Sequence, residues 1–542
     1  MSLKTKMAVI LLLSVFAAQC IFSIRTKSPT SDELAHHIAS GYSHLVMRDF
    51  RMNPAMPPLP RLLSAVPLYF LGAKMPSDPK SWNEGNSPIF AHEFFYQANK
   101  NADELIFWAR IPILFLSLIF AFLVFIWSKE LWGVGGGLAA LTLYVFCPDV
   151  VAHSSLATSD ISVAFFFTLT FYLFWKYLKA PSGRGLLFTG LAAGGAFLSK
   201  FSAILLFPIL LCIALISKNG RAVPPKKISL FLLVCLMTVW AGYFFETKPV
   251  LKNTPDPLKK IAFLNQIGGE PLVRFAQKVP VPLSTFASAM TGIFFTRAKG
   301  THSFLMGHWS DTGWWYYYFV AFALKNTLPF LALIFLSFIF LKRLKLDSLT
   351  LTTLFLPVIF FFVVTMPDRA QAGIRYFLPI YPLFFILCAG TVVFLCHKGK
   401  VWRFLAIGLL AWHAAEAGMI APDYLAYFNE SIGGPKNGYK YLRDSNIDWG
   451  QDLKGLGKYI KEKGYPEVAL FYFGPADPDY YGIPYRTFGQ DEFETPRHTV
   501  YAVAAHHIDS VKWTAEIQPT CVIGHSIFVY DLRSPDFSKK SA

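Results

Sequence analysis

Eleven apolar runs dominate this 542-residue chain, and many approach the roughly 20 residues that a helix needs to cross a hydrocarbon layer. They cover about 7–24, 105–127, 132–147, 160–178, 185–199, 201–217, 228–245, 316–341, 349–366, 374–396 and 403–420. Lys200 separates two short runs that have almost no loop between them. With 54% hydrophobic and 15% charged residues, the chain is too apolar for a soluble globule. The expected fold class is an all-α polytopic membrane protein of about 11 transmembrane helices. The first run is long, with a poor cleavage context before Cys20, so it is expected to stay as a helix and not act as a signal peptide.

The formal charge of +16 would suit a nucleic-acid partner, but its distribution argues for a membrane. If the amino end is cytoplasmic, the inside connections read SKELWG, KAPSGR, SKNGRAVPPKK, LKRLKLD and HKGKVWR, nearly all basic. The short outside connections are CPDVVAHSSLATSD, the Lys200 junction and MPDRAQAGIR. They carry more acid, as the positive-inside rule requires. No nucleic acid is expected. The predicted location is a cell (inner or plasma) membrane, with the carboxyl end outside.

Three larger pieces then lie on the outer side: loop 25–104, loop 246–315 and the tail 421–542. The tail has 13 Lys+Arg against 16 Asp+Glu, the balance of a water-facing module. Its runs EVALFYF, TVYAVAA and IFVYDL alternate or extend like strands, and GQDLKGLGKYIKEKG reads as a helix. The chain is thus divided into a transmembrane unit, 1–420, and a small α/β unit, 421–542. The seven cysteines form no CxxC or Cys/His cluster, which points to neither a disulfide framework nor a zinc site.

Ionisable residues at membrane depth are functional candidates by default, and several converge on the outer face. Asp32 and Glu33 open the first outer loop. Thr30 and Glu33 have capping-box spacing, so Glu33 has a structural reason to be there, whereas Asp32 has less of one. Asp160 starts a helix after HSSLATSD, where an N-cap is the competing explanation. Arg110, Lys200 and Arg375 add cations at the same face, although snorkelling alone would account for Arg110. Acid beside cation suits one reaction in particular, the transfer of a sugar from a lipid phosphate to a hydroxyl. A carboxylate takes the attacking proton. Arginine and lysine hold the leaving phosphate. Trp314, Trp315 and Tyr316, followed by Tyr317 and Tyr318, read as an interfacial belt or as a wall for the sugar or its lipid carrier. Outer histidines such as His36, His37 and His302 match no metal-ligand spacing, so no cofactor is expected and a divalent metal lacks support.

The segments TSDELAHHIASGY and RDFRMNPAMPPLPRLL resemble the first outer loop of the GT-C glycosyltransferases. The similarity is to the bacterial branch of the dolichyl-phosphate-mannose protein mannosyltransferase-like family, family 39. HSSLATSD, GTHSFLMGHWSDTGWWYYY, GIRYFLPIYP and the tail segment YLAYFNESIGGPKNGYKYLRDSNIDWGQDL carry the resemblance along the chain. It implies an inverting membrane enzyme that uses a polyprenyl-phosphate-linked sugar and no metal. Asp32 would be the base, with Glu33 beside it and Asp160 a second acid. Arg110 would meet the donor phosphate, with Arg375 and Lys200 as weaker carry-overs. Loop 246–315 is too short for the MIR domain of the eukaryotic mannosyltransferases. A protein, a lipid or a surface glycan therefore remain equal candidates as acceptor. The competing reading is a transporter or flippase of a lipid-linked saccharide, which would place its binding groups nearer the bilayer midplane.

Overall fold

The computed structural model describes residues 1–77, 80–217, 224–251 and 257–533. Every predicted span falls on helix: Leu3–Thr26, Ala102–Val145, Asp160–Lys179, Gly183–Ser199, Phe201–Ile216, Pro225–Gly242, the pair Tyr317–Lys325 and Leu328–Ile339, Ser348–Thr365, Ile374–Lys398 and Lys400–Ile420. Among the described residues six helices are long and apolar enough to cross a membrane, or seven if the bent pair is one span. The remaining predicted spans are shorter or less apolar, or share a helix with a neighbour. Large apolar side chains such as Phe115, Leu211, Leu233, Phe335 and Phe404 point outward and exposed. That is the surface of a protein solvated by lipid. The basic connection 217–227 lies largely outside the described residues.

The segment Ala102–Val145 holds two predicted spans folded back on each other. Gly133 has φ 74° and ψ −172°, a backbone region essentially closed to side-chain-bearing residues. Ser117 Oγ and Tyr144 Oη stand 2.6 Å apart, and Ser128 Oγ donates to Gly136 O at 2.9 Å. Pairs whose numbers sum to nearly the same value are in register only in an antiparallel hairpin. The predicted single span 316–341 is instead two helices meeting at 114°. Thr327 caps the second helix, its side chain accepting from Phe330 N, and Pro329 suits its first turn. Lys325 holds the corner by donating to the carbonyls of Leu425 (2.8 Å) and Asn446 (2.6 Å).

In the tail, five short strands form one sheet in the order Tyr485–Arg486, Val468–Phe471, Val500–Ala504, Ile527–Asp531, Cys521–Ile523. The first three run parallel and the last two pairings are antiparallel. The three predicted strands and the Leu453–Lys463 helix are present. The two edge strands have only two and three residues, too short for an alternating pattern to register. Leu453, Leu456 and Ile460 share one buried cluster with Val468, Val500 and Ile527, and also with Ile38, Phe94 and Leu105. Residues 424–428, with Leu442, Ile447 and Trp449, are buried among the spanning helices. The tail is thus packed into both the first outer loop and the transmembrane core.

Candidate active site

The two adjacent acids of the first loop have separate fates. Residues 31–47 are helical, with a wide π turn at Glu33–Ile38. Glu33 turns inward and is fully buried against Arg110, which is also fully buried. Its Oε1 accepts from Arg110 Nε and Ala157 N, both at 2.8 Å. Its Oε2 accepts from Arg110 Nη2 and Thr30 N at 2.8 Å, and from Thr30 Oγ1 at 3.0 Å. Arg110 spends its remaining donors on the carbonyls of Ile24, Lys27 and Ser28 at 2.9–3.1 Å. All five guanidinium N–H groups are therefore used within the protein. This geometry corrects two expectations. Glu33 has no free lone pair for a proton, and Arg110 has no free donor for a phosphate. The pair is a staple between the first loop and the Ala102–Val145 helix.

Asp32 faces the other way. Its carboxylate is 16% exposed, and its Oδ2 accepts from Arg375 Nη1 at 2.9 Å. The same Nη1 lies 3.8 Å from Asp160 Oδ2. Asp160 is 1% exposed and accepts on Oδ1 from Lys200 Nζ at 2.7 Å. Two acids and two cations thus alternate as Asp32, Arg375, Asp160, Lys200. Burial alone would raise the Asp32 pKa. The Arg375 guanidinium overrides this and holds the carboxyl below the usual range. Asp32 is charged at neutral pH. Asp160 is the first residue of its helix rather than the cap, which is Ser159.

Local chain geometry explains why these four meet. Lys200 ends the Gly183–Ser199 helix in an extended conformation, φ −159°, at the junction that separates the two apolar runs. Its ammonium lies 4.3 Å from the centre of the Tyr376 ring. Arg375 follows Gly373, whose φ of 102° and contact with Ser445 Oγ, 2.5 Å from where a Cβ would sit, leave no room for another residue. Ser445 Oγ donates to Ala372 O, and Asn446 Oδ1 accepts from Ile374 N at 3.0 Å. Trp449 lies beneath the guanidinium, 4.2 Å from Cζ. Ser445, Asn446 and Trp449 hold the arginine from the tail. The only sequence signal for them is the tail motif YLRDSNIDWGQDL. His153 is also buried here, its ring nitrogens without a hydrogen-bond partner among the described residues. Burial pushes its pKa down to about 4.

Lys200 and Arg375, with Asp368 and Tyr376, line a cavity of about 220 Å³. Val163, Leu205, Phe361 and Val364 make its apolar wall. Trp314, Trp315 and Tyr316 do not line it. Trp315 is 64% exposed, and Trp314 is held through its backbone to the Gln371 amide (3.0 and 2.6 Å). The aromatic run therefore stands beside the loop that carries Arg375 and forms no wall of this cavity. Among the described residues no three His, Cys, Asp or Glu side chains converge as metal ligands.

Residues 100–243 match the model of the dolichyl-phosphate-mannose-protein mannosyltransferase family. That stretch contains Arg110, Asp160 and Lys200 but neither Asp32 nor Arg375. No curated protein matches the chain in sequence. Among solved structures, ArnT from Cupriavidus metallidurans bound to undecaprenyl phosphate superposes over 97% of this chain and 98% of its own, with TM-score 0.51 and 11% identity. The archaeal oligosaccharyltransferase AglB from Archaeoglobus fulgidus, in complex with an inhibitory peptide and a dolichol-phosphate, matches 88% of this chain and 60% of its own, with TM-score 0.41 and 13% identity. The fold is the GT-C fold that the motifs led one to expect.

Proposed function

We propose that this chain moves a sugar from a polyprenyl-phosphate carrier to an acceptor hydroxyl at the outer face of a cell membrane, with inversion at the sugar carbon. One observation carries the reading. Arg375 bridges the Asp32 carboxylate and a cavity lined by two cations, Lys200 and Arg375, by the Asp368 carboxylate and by apolar side chains. An amphiphilic phosphate likewise pairs a charged head with an apolar chain. The resemblance of the motifs, and the undecaprenyl phosphate bound by ArnT, agree with a lipid phosphate there.

The chemistry follows from the charges. The carrier phosphate takes the positions of Lys200 and Arg375, while its chain follows Val163, Leu205, Phe361 and Val364. Arg375 drawn toward phosphate loosens its hold on Asp32, so the carboxylate becomes more basic as the donor arrives. Asp32 accepts the proton of the acceptor hydroxyl as that oxygen attacks the sugar carbon. The bond from that carbon to the phosphate oxygen breaks, and the negative charge left on the polyprenyl phosphate is met by the two cations. Asp160 keeps Lys200 and Arg375 in place. No metal is required in this scheme, and transfer that persists in excess chelator is its expected signature. Inner-membrane location, an inside amino end and an outside tail belong to the same proposal.

The test is sugar transfer from radiolabelled polyprenyl-phosphate-sugar by purified protein, with lipid, peptide and glycan acceptors. Asp32→Asn is expected to lower turnover by about 10²–10⁴ with the fold retained, the usual worth of a general base. Transfer that survives both Asp32→Asn and Asp160→Asn removes the reading.

A further inference from the structure

Arg61 is a buried charge that the scheme above does not use. It lies in the helix Leu59–Phe70, is fully buried and does not line the cavity. Its Nη1 donates to Asn53 O at 2.9 Å and Met52 O at 3.4 Å. Its Nε and Nη2 have no hydrogen-bond acceptor, and no carboxylate forms an ion pair with it, among the described residues. These two nitrogens share one edge of the guanidinium, the edge that takes two oxygens of a phosphate or carboxylate at once. Tyr243 belongs to the same neighbourhood: its ring packs on Phe50 (4.9 Å), Phe50 packs on His44 (5.0 Å), and His44 Nε2 and Arg61 Nη1 share the Met52 carbonyl.

The surroundings supply donors, and no carboxylate is in contact with the open edge among the described residues. The Tyr243 hydroxyl is buried without a partner among the described residues. Burial first, and then Arg61 itself, push His37 and His44 down to about 3, so both rings are neutral. Burial lowers Arg61 only to about 9, leaving it charged at neutral pH. A desolvated guanidinium with an open fork is costly unless something supplies the counter-charge. Gly41 brings the neighbouring helix against the Arg61 backbone, 2.4 Å from where a Cβ would stand, so the arginine is held firmly.

We propose that the Nε–Nη2 edge of Arg61, with the Tyr243 hydroxyl, is an oxyanion subsite separate from the carrier-phosphate cations. It takes a phosphate or carboxylate borne by the acceptor. The acceptor assignment rests on the glycosyl-transfer reading. Asp32 meets the acceptor hydroxyl there, and the helix Leu59–Phe70 that carries Arg61 packs against the turn Glu33–Ile38 that follows Asp32.

The test uses full-length protein in detergent, with thermal unfolding as the readout. A C55 polyprenyl phosphate is added to saturation first, and inorganic phosphate is then titrated at constant ionic strength. Wild-type protein is expected to gain further stability from phosphate. Arg61→Gln should lose that gain, and Arg61→Lys should weaken phosphate binding at least about tenfold, as befits loss of a charge-assisted fork. Tyr243→Phe, which keeps the charge, should weaken it less and carries the test if Arg61→Gln does not fold. The subsite is overturned if Arg61→Gln or Tyr243→Phe responds like wild type. It is also overturned if saturating carrier abolishes the wild-type response, because the edge then holds the carrier's own phosphate. Failure of polyprenyl phosphate to stabilise the protein counts against the carrier site alone, since the phosphate titration still reads Arg61.

Discussion

Adjacent residues here have opposite fates, and simple substitutions separate them. Glu33→Gln or Arg110→Gln leaves a buried charge without its partner, which costs ~3–5 kcal/mol. Calorimetry should show a large fall in the unfolding midpoint of either variant. Arg375→Gln, at a partly hydrated site, should keep the midpoint near wild type and lose polyprenyl phosphate binding. If Arg110→Gln is instead stable and fails to bind the carrier, the staple assignment is wrong. Asp448 gives a pH prediction. Its oxygens accept from Gly450 N (3.2 Å) and His506 N (3.1 Å), yet burial dominates and pushes it up to about 7. The folded pKa lies above the ordinary carboxylate value. The stability it contributes is therefore full below that ordinary value and lost as pH rises toward 7. The wild-type midpoint should fall between pH 5 and pH 8, and Asp448→Asn should flatten that slope.

At the scale of elements, breaks in helices matter more than the helices. The hairpin at Gly133 is strained for any other residue, although a Cβ there meets nothing within 4 Å. Gly133→Ala thus isolates the backbone term, about 1–3 kcal/mol. Gly183→Ala, at a helical position that is equally open, should be neutral or slightly stabilising. Equal midpoints for the two variants would contradict the hairpin geometry. The breaks at Lys200 and Gly373 place both cavity cations. Each was visible in the sequence only as an interruption, a lysine between two apolar runs and a glycine before an arginine.

For the whole molecule, orientation and tail docking are the open consequences. With Cys521 changed to Ser, Ser182→Cys should react with a membrane-impermeant maleimide only after cells are permeabilised. Asp479→Cys should react in intact cells, and the reverse pattern would invert the proposed topology. The tail is stitched to the first loop through Ser28 N to Gln451 O (3.0 Å), Ser31 N to Trp449 O (2.8 Å) and Lys27 to Asp423 and Asp452. Because Ser445, Asn446 and Trp449 also support Arg375, ending the chain near residue 420 should abolish polyprenyl phosphate binding as well as the tail itself.

The sequence by itself determined the membrane class, the placement of nearly every span and the gathering of acids and cations at one face. Those features follow from local composition, since each span must bury its own backbone in hydrocarbon whatever its neighbours do. Capping-box spacing even hinted that Glu33 was structural. Only the tertiary structure decided which charges are spent. Arg110 looked like the phosphate ligand because its position on a helix is legible, whereas the three carbonyls and one carboxylate that saturate it come from residues 24–33. Lys200 and Arg375 became the cavity cations because chain breaks far apart in sequence turn both toward Asp160. Hydrogen-bond saturation is a property of a packed neighbourhood, and a linear pattern of residue types does not contain it.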